Sequence, residues 1–325
     1  MEEKLKQKSS EGFLNKVFGK LYILVLTLLI VSLIARFFVV DVYRVTSNSM
    51  EDAIMTGSYQ FVNKLDYGPR LPMSPLHAFG VTVQMLPYVR IPCGSQVKSG
   101  DVVAFNLPVE YNQVIDQREV FVKRCVGAPG DTIQAINGVL QINGVNERFG
   151  STIRRGYEIS SDEPITIPNL FLSRIYQPGS QSTGVDAHKY FVEANAEQID
   201  DLLSEDRTIK IRPSTRENLA PFYLNGISPE WTTSDFGPIR VPKKGLQIEL
   251  NPKNIAVYAD VIINHDAHDT LTFSNGAIYL NGSILETYVF TNDYFFAVGD
   301  NRPHSKDSRH WGFVPCTHLI GRVLN

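Results

Sequence analysis

The sequence predicts a mostly β protein: an antiparallel β core with an inserted α+β lobe, preceded by one N-terminal transmembrane helix. Three observations predict it. Residues 21–35 contain no charge, and residues 37–40 resume the apolar run after Arg36. Beyond Val40 the chain changes to short, alternating apolar runs separated by Gly, Pro and Asn, the pattern of half-buried strands. Helical texture returns at residues 195–203, inside a long mixed stretch.

Each element follows in order. Residues 21–40 match the roughly 20 residues that cross a bilayer, with Arg36 near enough to one end to snorkel. Lys4, Lys6, Lys8, Lys16 and Lys20 precede them against Glu2, Glu3 and Glu11. That excess places residues 1–20 in the cytoplasm and sends the rest across the membrane. Arg36, Phe37, Phe38 and Val39 follow the apolar run where a cleaved leader would need small residues, so a retained anchor is expected. Strands are expected at 59–63, 101–105, 120–126, 132–136 and 294–298. Asn-Gly pairs at 137–138, 143–144, 275–276 and 281–282 suit tight hairpins. Residues 66–99 carry five prolines and read as an excursion between core strands. The core is therefore expected in two parts, 41–146 and 270–325, around an inserted lobe at 147–269 that shows no chemical motif.

Composition narrows the function. The 325 residues with 43% hydrophobic content can bury a substantial core. A net charge of −3 and no basic stripe with interleaved aromatics give no nucleic-acid surface. Cys93, Cys125 and Cys316 lie far apart with no C-x-x-C, and the seven histidines show no ligand spacing, so no metal or cofactor is expected. One disulfide remains compatible with three cysteines.

Two residues stand out chemically. Ser49 lies nine residues beyond the apolar run in Thr46-Ser47-Asn48-Ser49-Met50. By composition alone it is an ordinary turn serine. In the strand at 120–126, alternation puts Phe121, Lys123 and Cys125 on one face and Arg124 on the other. On the residues alone such a lysine is a strand-edge residue snorkelling to water; held among its apolar neighbours instead, it loses basicity and can accept a proton from a serine hydroxyl. Near the C-terminus, Gly299-Asp300-Asn301-Arg302-Pro303-His304-Ser305-Lys306-Asp307-Ser308-Arg309-His310-Trp311-Gly312 follows an apolar strand. Its acids and arginines alternate too densely for an ordinary loop and suggest a hydrogen-bonded brace.

These segments resemble the type I signal peptidases, the bacterial leader peptidase family with a Ser/Lys dyad. Ser47-Asn48-Ser49-Met50 is similar to the family's Ser-x-Ser-Met nucleophile segment. Lys123-Arg124-Cys125-Val126-Gly127-Ala128-Pro129-Gly130-Asp131 is similar to its Lys-Arg-x-x-Gly-x-Pro-Gly-Asp segment. Gly100-Asp101-Val102-Val103 and the run from Gly299 to Gly312 complete four blocks in family order behind an anchor. The resemblance covers roughly half of the chain and does not extend to 147–269. The sequence departs from the pattern in three places: Thr46 stands where the family usually has Pro, Asn48 where it has Gly, and Glu51-Asp52-Ala53-Ile54-Met55 follows Met50 where a Pro-Thr-Leu run is usual. Asn tolerates the left-handed backbone that Gly would supply, so the turn can survive the change at Asn48.

The resemblance implies a membrane-anchored serine endopeptidase that removes signal peptides from translocated preproteins. Ser49 would be the nucleophile and Lys123 the general base. Ser47 would help hold the oxyanion and Ser308 would orient the lysine. Asp300, Arg302, Asp307 and Arg309 are expected to brace the loop, with Asp300 paired to a loop arginine. The Lys123 assignment leaves His304 and His310 without a role as base. Expected partners are the lipid bilayer and signal peptides with small residues at −1 and −3, with no nucleic acid. The expected location is the cytoplasmic (inner) membrane, single-pass, catalytic domain outside. A tethered β-rich binding protein would lack the Ser49 and Lys123 chemistry. A self-cleaving regulator with the same pair would carry a helix-turn-helix, and none is visible.

Overall fold

The computed structural model describes residues 2–75, 83–92, 94–161, 188–205, 209–214, 223–266 and 271–324. Parts of the expected 147–269 lobe, and Cys93, lie outside the described residues. Helix α1 (Glu2–Phe38) contains one span, Phe18–Phe38, long and apolar enough to cross a membrane. No residue of its apolar window is buried inside the protein. It ends at Phe38 rather than Val40 because the chain there becomes a strand.

The β body opens with β1 (Val40–Arg44), β2 (Tyr59–Asn63), β3 (Val102–Asn106), β4 (Val120–Gly127), β5 (Thr132–Ile136), β6 (Val139–Ile142) and β7 (Val145–Asn146). It continues through β8 (Arg155–Ser161), β9 (His188–Ala194), helix α2 (Ala196–Glu205), β10 (Lys210–Pro213), helix α3 (Tyr223–Ile227), β11 (Phe236–Arg240), β12 (Gln247–Glu249) and helix α4 (Pro252–Val261). The last third holds β13 (Leu271–Ser274), β14 (Ala277–Leu280), β15 (Ser283–Ile284), β16 (Thr287–Val289), β17 (Tyr294–Val298), helix α5 (Ser308–Trp311), β18 (Val314–Pro315) and β19 (Leu319–Leu324).

Seven strands form one curled antiparallel sheet, ordered β1-β2-β19-β3-β4-β17-β18. Strand outweighs helix, 35% against 24%, although α1 alone supplies much of the helix. The protein is therefore mostly β, as the alternating runs require. The predicted hairpins form: Asn137, Asn143, Asn275 and Asn281 all take left-handed backbones ahead of their glycines.

The main core lies between this sheet and the sheet β11-β5-β6-β7. Val126, Phe296 and Val298 from the first meet Ile133, Leu140, Phe236 and Ile239 from the second, with Tyr258 and Val261 of α4. Residues of the 147–269 stretch thus divide between two cores. β11 and α4 belong to the main one, whereas β8, β9, β10 and α2 enclose a smaller cluster around Ile159, Val192 and Leu202.

Two contacts position the site. Lys64 Nζ donates to the Arg36 carbonyl at 2.8 Å and pairs with Asp41 at 2.9 Å, tying the end of α1 to the β1–β2 hairpin. In the sheet, β4 pairs with β3 at Lys123↔Val103 and with β17 at Arg124↔Val298. The chain leaving β17 at Gly299 therefore emerges beside Lys123.

Candidate active site

After β1 the chain makes a tight turn through Ser47-Asn48-Ser49-Met50. Glu51 N–H donates to the Asn48 carbonyl at 3.1 Å and Ile54 N–H to the Met50 carbonyl at 2.7 Å. Met50 and Ile54 anchor the turn in an apolar cluster with Val45, Val102 and Ala104. This burial carries Ser49 inward, to 4% exposure, while Ser47 and Asn48 stay exposed. The left-handed residue here is Asp52 (φ 75°), and Asn48 does not use the left-handed backbone that it could tolerate. The turn obtains its reversal three residues after Ser49.

Lys123 points from the middle of β4 on the face predicted for it, its Nζ 5.3 Å from the Phe121 ring centroid. It is 2% exposed and donates a short hydrogen bond to Ser49 Oγ. Ser47 Oγ lies 3.1 Å from Ser49 Oγ. Burial lowers the Lys123 ammonium to about 8; Asp307 pulls it upward and Arg309 pushes it down again. Among the described residues no acceptor takes the Ser49 N–H.

The loop after β17 holds this turn by its backbone. Asn301 N–H donates to the Ser49 carbonyl and Asn301 Nδ2 to the Asn48 carbonyl, each at 3.0 Å. Gly299 packs so closely that a Cβ there would stand 2.5 Å from the Ser49 carbonyl oxygen and would strike the Ser305 hydroxyl. Only glycine fits.

The loop's charged side chains Asp300, Arg302, Asp307 and Arg309 are each paired, one pair within the loop and the others to residues outside it. Asp307 caps α5 and pairs with Arg309 through two bonds of 2.9 Å. Burial raises the Asp307 carboxyl, but Arg309 and the His310 contact hold it well below the usual carboxylate range. Arg302 pairs with Glu147 at 3.0 and 2.5 Å, and Glu147 also takes Arg155. Asp300 pairs with Arg124 of β4 at 2.8 and 2.5 Å and accepts from Thr152 at 3.0 Å. The partner of Asp300 is thus a strand arginine adjoining Lys123, not a loop arginine. Ser308 is fully buried and accepts from the Ala297 N–H at 3.0 Å; no hydrogen bond joins it to Lys123. His304 pairs with Glu193 and His310 closes the α5 cap, both away from Ser49. Cys125 and Cys316 are free thiols.

The family model described as "Signal peptidase, peptidase S26" matches residues 18–198 and 281–324. The chain belongs to the signal peptidase family. Peptidase chemistry and signal-peptide removal come with that membership. The chain is similar to the signal peptidase I of Buchnera aphidicola subsp. Baizongia pistaciae, with 23% identity over 91% of this chain and 72% of the relative. It is 22% identical to that of Aquifex aeolicus over 96% of this chain and 83% of the relative. A higher identity, 35%, spans only 33% of this chain against the signal peptidase I of Pseudomonas aeruginosa. The family model leaves residues 199–280 of this signal peptidase unmatched, the stretch that contains α3, β11 and α4.

Sequence reasoning missed several site neighbours in this signal peptidase. Glu147 bridges Arg155 and Arg302, and Asp52 meets Arg154 across more than one hundred positions. Neither pair has a local spacing that could announce it. The dual grip of Asn301 was equally hidden, because its partners are backbone carbonyls.

Proposed function

We propose that this chain is a membrane-anchored serine endopeptidase that removes signal peptides with a Ser49/Lys123 dyad. The observation that carries the reading is the buried hydrogen bond between Lys123 Nζ and Ser49 Oγ. With its ammonium lowered to about 8, Lys123 is partly neutral at mildly alkaline pH. The neutral amine reverses the sense of the bond and accepts from the Ser49 hydroxyl.

Ser49 Oγ attacks the scissile carbonyl carbon as its proton passes to Lys123. The developing oxyanion accepts from the uncommitted Ser49 N–H and from the Ser47 hydroxyl. Collapse breaks the C–N bond, and the Lys123 ammonium gives its proton to the leaving amine. Water then attacks the Ser49 ester with Lys123 again as base, and the serine is restored. Ser308 is assigned to orienting the amine. Its hydroxyl uses one lone pair on the Ala297 N–H, which leaves acceptor capacity for the lysine. Asp300, Arg302, Asp307 and Arg309 are assigned to support, since each carries a buried ion pair.

The substrate is a preprotein with small residues at −1 and −3. β1 is an edge strand of the seven-stranded sheet and runs into the Ser49 turn, so an extended peptide can add along it. The apolar span of α1 holds this edge at the bilayer, with the lysine-rich N-terminus in the cytoplasm and the β body outside. Cleavage of a purified preprotein by wild type and by Ser49→Ala tests the assignment. The variant should fold and lose several orders of magnitude in rate; retained cleavage would remove Ser49 from the mechanism.

A further inference from the structure

Three residues beyond Ser49, Asp52 occupies a left-handed backbone (φ 75°) and meets Arg154. Arg154 Nε donates to Asp52 Oδ2 at 2.9 Å and Nη2 makes a shorter contact to the same oxygen. Arg154 is 5% exposed, and its Nη1 is buried with no hydrogen-bond partner. The backbone of Arg154 is pinned on both sides of Asn301: its N–H donates to the Asp300 carbonyl at 2.9 Å, and its carbonyl accepts from Arg302 N–H at 3.0 Å. Asn301 is the residue that grips the Asn48 and Ser49 carbonyls.

These contacts close a ring. Asn301 holds the turn at residues 48 and 49, Arg154 lies along Asn301, and the Arg154 side chain returns to the turn at Asp52. A left-handed aspartate and a buried guanidinium nitrogen without an acceptor both cost stability. Both costs fall at the serine turn. The Asp52–Arg154 ion pair ties this turn to the segment that lies along Asn301.

We propose that Asp52 and Arg154 are positioning residues whose ion pair fixes the Ser49 turn for attack. The proposal rests on Ser49 being the nucleophile. The pair acts on the serine and not on the base, because Lys123 is held separately by the pairing of β4 with β3 and β17.

The full-length protein in detergent, cleaving a preprotein with an Ala-x-Ala site, provides the test. Asp52→Asn retains the side-chain shape and tolerance for the left-handed backbone but removes the charge. It should lower kcat by about 10²-fold, the scale expected for an ångström of misplacement, with KM and the pH of the basic limb unchanged. Arg154→Lys keeps a buried cation against Asp52 but loses the forked donor, and should lower kcat in the same way. The double variant Asp52→Asn/Arg154→Met removes the unpaired charge, so it should regain thermal stability yet keep the low kcat. Wild-type kcat in Asp52→Asn, or recovery of kcat along with stability in the double variant, would overturn the proposal. Ser49→Ala run in parallel separates the two readings: cleavage by that variant refutes the nucleophile, whereas loss there with full activity in Asp52→Asn refutes only the positioning.

Discussion

Lys123 places a charge where a charge is disfavoured, and two measurements follow from that single residue. Its ammonium falls from 10.5 to about 8 on burial, a difference of about 3 kcal/mol between the protonation states. Cleavage should therefore rise with pH along a limb centred near 8, read as kcat/KM against pH on the free enzyme. Between 8 and 10.5 the unfolded chain binds more protons at this residue than the folded one, so this contribution to stability grows as pH rises through that window. Lys123→Met should abolish cleavage and raise the thermal midpoint below pH 8, with the gain over wild type shrinking toward pH 10. A midpoint below wild type at pH 6 would mean that the Ser49 contact outweighs the burial cost. The two serines beside the dyad should separate by effect. Ser47→Ala removes one of the two proposed oxyanion donors and should lower turnover roughly 10²-fold at an unchanged pH limb. Ser308→Ala should instead shift the limb, because a loosened lysine changes its own environment. An unmoved limb in that variant would confine Ser308 to its bond with the Ala297 amide.

The elements transmit position through buried ion pairs. Asp300 is fully buried and clamps Arg124, the residue after Lys123 on β4. Asp300→Ala strands that guanidinium and should cost about 3 kcal/mol, seen as a large fall in thermal midpoint. Adding Arg124→Ala should recover part of it. A variant with wild-type stability and no activity would instead give Asp300 a direct role. A second hub lies away from the site. Asp266 is fully buried and accepts from the Tyr288 and Tyr294 hydroxyls, the Thr291 and Asn292 amides and Asn292 Nδ2, at 2.7–3.0 Å. It joins the end of α4 to β16 and β17, so Asp266→Ala should lower the midpoint by several degrees. The basic limb of cleavage near pH 8 should stay in place, because none of these donors touches Lys123 or Ser49.

At the scale of the molecule, one apolar helix leads directly into an edge strand, and that strand leads into the serine turn. Lys64 locks the first junction through the Arg36 carbonyl and Asp41. Ser49 therefore follows the end of the apolar span by about a dozen positions, and in the proposed orientation this places it where a preprotein would leave the bilayer. Protease added outside sealed cells should digest the chain beyond about Val40 and spare the lysine-rich N-terminus. Protection of the β body would reverse the proposed orientation.

The sequence by itself determined the apolar span, the mostly β architecture, the hairpin turns and the face of its strand on which Lys123 lies. All of these are written in local patterns: a run of length, an alternation of period two, an Asn-Gly pair. Strand alternation was enough to put Lys123 on the apolar side with Phe121 and Cys125 and to send Arg124 the other way. The meeting of Ser49 with Lys123 was legible only through the family resemblance, since 74 positions separate them. Tertiary structure alone decided the partners of the loop charges, the left-handed residue at Asp52 and the Asp52–Arg154 pair. It also decided that β11 and α4 join the main core. A charge or a strand edge carries no record of its distant partner; the partner is chosen by which surfaces meet when the sheets pack.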